Sequence, residues 1–151
     1  MAAPKQVFIA IIGAGGVGKS FINQLQSLAA RKPSPKLTLA YIATSRKALY
    51  NDDYSAVGLD NVVDTLGASS KAPLALPQVV EYLAKAPAKT VLVDNTSSQD
   101  VAELYPLALS QGVSIVTPNK KAFSGSYKLW QDIFSAAENS GARVYHESHQ
   151  D

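Results

Sequence analysis

Residues Gly13 to Ser20 read GAGGVGKS, and this octet satisfies two spacings at once. Gly13, Gly15 and Gly18 fit Gly-x-Gly-x-x-Gly, the loop that carries the pyrophosphate of a dinucleotide. Gly13, Gly18, Lys19 and Ser20 fit Gly-x-x-x-x-Gly-Lys-Ser, the loop that wraps the phosphates of a nucleoside triphosphate. The shared chemistry is anion binding. Glycines let the backbone of Gly13, Ala14, Gly15, Gly16, Val17 and Gly18 approach closely, and N–H groups at a helix start face the phosphate with the helix dipole behind them. The plain alternative is a tight strand-to-helix turn that binds nothing, which leaves three glycines at fingerprint spacing unexplained.

Segments further along the chain weigh on the choice. Asp64-Thr65-Leu66-Gly67 matches the Asp-x-x-Gly element of small GTPases, and Asn119-Lys120 matches the start of their Asn-Lys-x-Asp. The fourth position of that second motif is Ala122, so no carboxylate meets the base's N–H donors, and a site that reads by hydrogen bonds suffers when a partner is missing. Asp64 also follows only Val62 and Val63, with Gly58, Asp60 and Asn61 before them, a poor core strand.

For the dinucleotide, an acid about 20 residues past the loop holds the ribose 2′-hydroxyl of NAD, and an arginine there suits the 2′-phosphate of NADP. Here Ala40-Tyr41-Ile42-Ala43 runs into Thr44-Ser45-Arg46-Lys47. No acid is present, whereas two hydroxyls and two cations are. That composition favours NADP(H) over NAD, with Ala43 and Arg46 as cofactor-binding candidates. The alternative is that Arg46 and Lys47 are solvated charges at a strand end.

These groups need strands and helices to position them. Val7–Ile12, Leu37–Ala43, Val91–Val93, Val113–Val116 and Arg143–Tyr145 are apolar runs of strand length. Between them, Val17, Phe21, Ile22, Leu25, Leu28 and Ala29 recur at helical spacing, as do Val79, Val80 and Leu83. Val101, Leu104, Ala108 and Leu109 mark a further helix face with Pro106 awkwardly in its middle, and residues 127–139 another. Tyr50 to Lys71 is polar and weakly patterned, a loop with a helical turn or two. The alternation predicts an α/β fold, a Rossmann-like, doubly wound, mostly parallel sheet with helices on both faces.

At 151 residues, 46% hydrophobic and 17% charged, the chain has the size and composition of one globular domain. A net charge of +2 without a basic run argues against nucleic acid. The absence of cysteine excludes disulfides, thiolate metal sites and a thiol nucleophile. Val7–Ile12 is too short for a signal core or a membrane span. A cytoplasmic protein with no membrane partner is the expectation.

Three later blocks are more specific: VLVDNTSS (Val91–Ser98), GVSIVTPNKKAF (Gly112–Phe123) and VYHE (Val144–Glu147). Asp94 to Ser98 ends a strand and starts a helix at the carboxyl edge of the sheet. There the hydroxyls of Thr96 and Ser97 can face the ribose or nicotinamide side of a cofactor, and Asn95 or Ser97 can cap the helix. A purely structural cap is the alternative. Lys120 follows the next strand and can hold a carboxylate or phosphate. His146-Glu147-Ser148-His149 is one residue short of His-Glu-x-x-His, a poor zinc pair.

With IIGAGGVG (Ile11–Gly18), these blocks resemble, in order and spacing, the NAD(P)-binding domain of fungal-type homoserine dehydrogenases, over about Gln6 to Glu147. The resemblance implies NAD(P)-dependent interconversion of L-homoserine and L-aspartate 4-semialdehyde, in the route to threonine and methionine. It places Lys120 near cofactor and substrate, and makes Glu147 the first ligand of a monovalent-cation site, such as sodium, that is incomplete here. The family's catalytic groups and most of its homodimer surface lie beyond this sequence, so no catalytic residue is assigned. Residues 1–147 are expected to be the binding domain, 148–151 a divergent tail, and the chain a truncated family member with little or no turnover alone. A non-catalytic dinucleotide-binding module and a GTPase remain the alternatives.

Overall fold

The computed structural model describes residues 6–13, 23, 25–27, 36–96, 98–117 and 141–146. Six strands form one sheet: β1 (Gln6–Ile12), β2 (Lys36–Ala43), β3 (Ala48–Tyr50), β4 (Lys89–Asp94), β5 (Val113–Thr117) and β6 (Val144–His146). Their order across the sheet is β3-β2-β1-β4-β5-β6. All neighbours run parallel except β2 and β3, which form an antiparallel hairpin. Four labelled helices accompany them: α1 (Val62–Gly67), α2 (Leu76–Ala84), α3 (Gln99–Glu103) and α4 (Tyr105–Ser110). Among the described residues, no helix is long and apolar enough to cross a membrane.

The continuous apolar run of β1 is explained by burial on both sides, as parallel sheets require. Val7, Ile9 and Ile11 face a core that contains Leu25, Val62 and Leu66. Ala10 and Ile12 face a second core built from Val79, Val80 and Leu83 of α2, Val101 of α3 and Ala108 of α4. Helices therefore cover both faces, and the expected doubly wound arrangement is present. Asn23 and Leu25–Ser27 are helical as their spacing predicts, whereas the helix expected over 127–139 lies outside the described residues.

Two expectations change. The face from Val101 to Leu109 belongs to two short helices, not one. Pro106 cannot donate an N–H and its ring would strike the carbonyl one turn back, so α3 stops at Glu103 and Pro106 sits in the first turn of α4. Tyr50, expected to begin the polar loop, instead ends a strand, Ala48–Tyr50, that pairs as β3. The helical turn expected in that region is α1, so Asp64 lies inside a helix. It does not leave a core strand, as the triphosphate reading needs.

A further feature of β2 sets up the site. Ile9 pairs with Leu39, but Ala10 pairs with Tyr41, so Ala40 is an extra residue in β2. The bulge reverses the parity of everything after it. Leu37 and Leu39 face the first core, but beyond the bulge Ile42 faces it while Tyr41 and Ala43 turn to the second. The outer border of the hairpin is occupied from within the chain. The N–H of Ala48 donates to the Lys71 carbonyl at 3.0 Å. Ser69 Oγ donates to the Ala48 carbonyl and Lys71 Nζ to that of Tyr50, each at 2.8 Å.

Deleting Ala40 would swing Tyr41 and Ala43 onto the wrong face. The expected outcome is loss of a cooperative thermal transition, or a midpoint lowered by roughly 10 °C or more. An unchanged melting curve would show that the bulge carries no such role.

Candidate functional site

β1 and β4 are adjacent and end at the same level, Ile12 beside Asp94. From there the chain winds to β2 on one side and to β5 on the other. Such a divergence leaves a crevice at the carboxyl ends of the strands. The ladder runs one step further, because the Asn95 N–H donates to the Ile12 carbonyl at 3.0 Å. The Asn95 side chain then donates from Nδ2 to the Gly13 carbonyl at 3.3 Å.

Glycine at position 13 is required on two counts. Its φ is +80°, a conformation that side chains disfavour. A Cβ there would also lie 2.9 Å from the carbonyl carbon and oxygen of Asn95, and 3.0 Å from Thr96 Cγ2. The phosphate-loop backbone thus starts pressed against the turn that follows β4.

Above this contact opens a cavity of about 680 Å³. Its lining includes Ile12 and Gly13 from the end of β1, Ala43 to Ser45 from the end of β2, and Pro73 to Leu76 with Val79. Thr96, Ser98 and Val101 complete the lining. A mostly apolar pocket with a few hydroxyls suits a flat heterocycle and its sugar. Tyr41, fully buried beneath it, accepts the Leu74 N–H on its hydroxyl at 3.1 Å. Burial pushes the Tyr41 phenol up from its usual value, so it stays neutral. Behind it, Tyr82 stacks on Tyr54 at 4.6 Å and donates to the Asn51 carbonyl at 2.7 Å. Burial, with Tyr54 and nearby acids, pushes Tyr82 up to about 12.

The turn after β2 separates the two cations of the sequence. Thr44 Oγ1 accepts the N–H groups of Arg46 and Lys47 at 3.2 and 3.0 Å, so this hydroxyl builds the turn. Lys47 Nζ is directed to the Gly67 carbonyl. Arg46 is exposed and follows Ser45, a residue that lines the cavity.

The turn after β4 departs from expectation in its details. Thr96 Oγ1 donates to Asp94 Oδ1 at 2.7 Å and accepts the Ser98 N–H at 3.1 Å, so its proton is committed within the turn. The cap of α3 is Ser98, whose Oγ accepts the Val101 N–H at 3.4 Å. The helix starts at Gln99, so Asn95 is too early to cap it and instead holds Gly13. Gly13, Ala43 and Thr96 line this one cavity, whereas Arg46 does not line it and follows Ser45, which does. Ala14, Gly15, Gly16, Val17, Gly18, Ser97, Lys120 and Glu147 lie outside the described residues. Among the described residues no cluster of His, Asp and Glu could hold a metal ion. Asn95 lies in the VLVDNTSS block but its bond to Gly13 is not signalled there, and Tyr41 and Leu74 belong to no motif.

The family model for the NAD-binding domain of homoserine dehydrogenase matches residues 13–147. The chain belongs to that family. A homoserine dehydrogenase from Emericella nidulans is 42% identical over 98% of the chain and 40% of its own length. The Saccharomyces cerevisiae homoserine dehydrogenase is 37% identical over 95% and 39%. The chain therefore spans about 40% of the length of the curated relatives it matches. A solved Candida auris protein of unknown function is 44% identical and superposes with a TM-score of 0.68 over 95% of this chain and 39% of that one. A homoserine dehydrogenase NAD-binding domain takes a nicotinamide dinucleotide, and the Rossmann-like sheet with its crevice at the β1/β4 divergence suits that ligand class.

Replacing Gly13 with Ala tests the contact. The left-handed backbone costs about 1–3 kcal/mol for a side chain, and the clash with Asn95 adds to it. Gly13→Ala is expected to lower the melting midpoint by several degrees and to abolish the stabilisation given by excess NADPH. A variant that melts like the wild type and still responds to NADPH would remove the packing argument.

Proposed function

We propose that this chain supplies the cofactor-holding part of a homoserine dehydrogenase, the enzyme that interconverts L-homoserine and L-aspartate 4-semialdehyde with NADP(H). The carrying observation is the crevice at Gly13, where a cradle that only glycine permits adjoins a largely apolar cavity. In this reading the adenosine half lies in the cavity beside Ala43. The backbone from Gly13 through Ala14, Gly15, Gly16, Val17 and Gly18 takes the pyrophosphate. Ser97 faces the nicotinamide side, and Lys120 lies near cofactor and substrate. The nicotinamide supplies hydride transfer when bound, while this chain binds and orients it.

Thr96 has a narrower role than its hydroxyl first implies, because its proton is directed to Asp94. It shapes the wall. No residue of this chain is assigned as proton donor. Glu147 is the proposed first ligand of a monovalent cation such as sodium, residues 1–147 form the binding domain, homodimerisation follows the family resemblance, and the proposed location is cytoplasmic.

The preference for NADP(H) rests on Arg46. No acid stands between Ala40 and Lys47 to meet a 2′-hydroxyl. Lys47 is directed to Gly67, so Arg46 is the cation left beside Ser45. Titration of nicotinamide fluorescence checks this. Arg46→Ala should weaken NADPH binding by about 10-fold, the worth of one charge-assisted phosphate contact, and leave NADH within about twofold. Equal losses for both cofactors would place the 2′-phosphate elsewhere. Absence of binding by the wild type would reject the dinucleotide site itself.

A further inference from the structure

Asp94 is buried, 7% exposed, at the last position of β4. A buried carboxylate needs hydrogen bonds to offset its lost hydration. Its Oδ1 accepts both the N–H of Thr96 at 2.8 Å and the hydroxyl of Thr96 at 2.7 Å. Its Oδ2 accepts the hydroxyl of Tyr105. Tyr105 opens α4 and does not line the cavity. Burial, and then the bond to Asp94, push the Tyr105 phenol well above its usual value, so it donates across the whole working pH range.

These bonds fix both ends of one short turn. At its start, Asn95 is bonded to Ile12 and Gly13 through backbone and side chain. In its middle, Thr96 presses Cγ2 toward Gly13 while its hydroxyl passes the constraint from Asp94 to the N–H of Ser98. At its end, Ser98 caps α3 and lines the cavity.

We propose that Asp94 and Tyr105 are positioning residues for the dinucleotide: they hold Asn95 and Thr96 against Gly13 and so set the shape of the crevice in which the cofactor sits. The inference rests on the dinucleotide reading above, and it gives a role to a tyrosine that does not line the cavity. Removing the phenolic oxygen leaves Asp94 Oδ2 buried without its described partner, a loss large enough to rearrange a turn held by a few bonds.

The experiment compares the wild type with Tyr105→Phe, Asp94→Asn and Leu66→Ala. Leu66 is buried on the opposite face of the sheet and serves as a stability control. Two quantities are measured well below the melting midpoint: amide hydrogen exchange at Asn95 and Thr96 without ligand, and the dissociation constant for NADPH. Tyr105→Phe is expected to speed exchange at those two amides, leave β1 protected, and weaken NADPH binding by about 10-fold. Asp94→Asn retains an acceptor oxygen and should fall between it and the wild type. Leu66→Ala should lower the midpoint but leave the dissociation constant within about twofold.

Unchanged exchange at Asn95 and Thr96 in Tyr105→Phe overturns the proposal, whatever binds. Faster exchange with unchanged NADPH affinity also overturns it, because the turn would then be immaterial to the ligand. Equal weakening by Leu66→Ala overturns it too, leaving Tyr105 a general stabiliser. A wild type that binds no dinucleotide brings down the reading of the site, and the positioning role falls with it. That failure is distinguished by being present before any residue is changed.

Discussion

The contact between Gly13 and Asn95 governs this molecule more than any other. Two parallel strands that end side by side must send their chains apart, and here the two exits touch at backbone distance before they separate. The touch works only without a Cβ on one side, and with an amide side chain on the other to bond the carbonyl it meets. Everything that borders the cavity is referred to this point. β1 delivers Gly13, β4 delivers Asn95, and α3 begins one short turn later.

The wall built from Tyr41 and from Pro73 to Leu76 comes from other elements. A single inserted residue in β2 turns Tyr41 from one core to the other, where its hydroxyl receives the Leu74 N–H and keeps Pro73 to Leu76 in place. Stacked tyrosines behind it tie the Asn51–Tyr54 loop to α2. The apolar side of the crevice is thus braced by ring packing and by neutral hydroxyls, which keep their protons at any physiological pH. The polar side is braced by the Asp94 network.

Much of this was legible in advance. β1, β2, β4 and β5 lie where largely apolar runs put them, because a strand buried on both faces admits few polar residues. Gly13 and Ala43 occupy the crevice for the same kind of reason: their positions follow from strand ends. The bulge at Ala40 was hidden, since Leu37 to Ala43 is apolar at every position but Thr38 and shows no change of parity. β3 was hidden by its length of three residues. The break at Leu104 was half visible in Pro106, which marked the place but not whether the helix would bend or restart. The cap at Ser98 was expected at Asn95 or Ser97, three or one residues early, because the DNTSS block offers several side chains able to do the same work. Asp94 was conspicuous there, but its partner Tyr105 sits in a helix with nothing in its sequence to link the two.

The hairpin border has a consequence of another kind. Sheets associate most readily through a strand whose outward N–H and C=O groups are open. At β3 the outward groups of Ala48 and the carbonyl of Tyr50 are already taken by Ser69 and Lys71, and Val57 covers the Leu39 carbonyl further along β2. A second copy of the chain, or a peptide in extended form, finds these ladder groups already occupied. The border beside the crevice is therefore shielded, at these groups, from strand exchange.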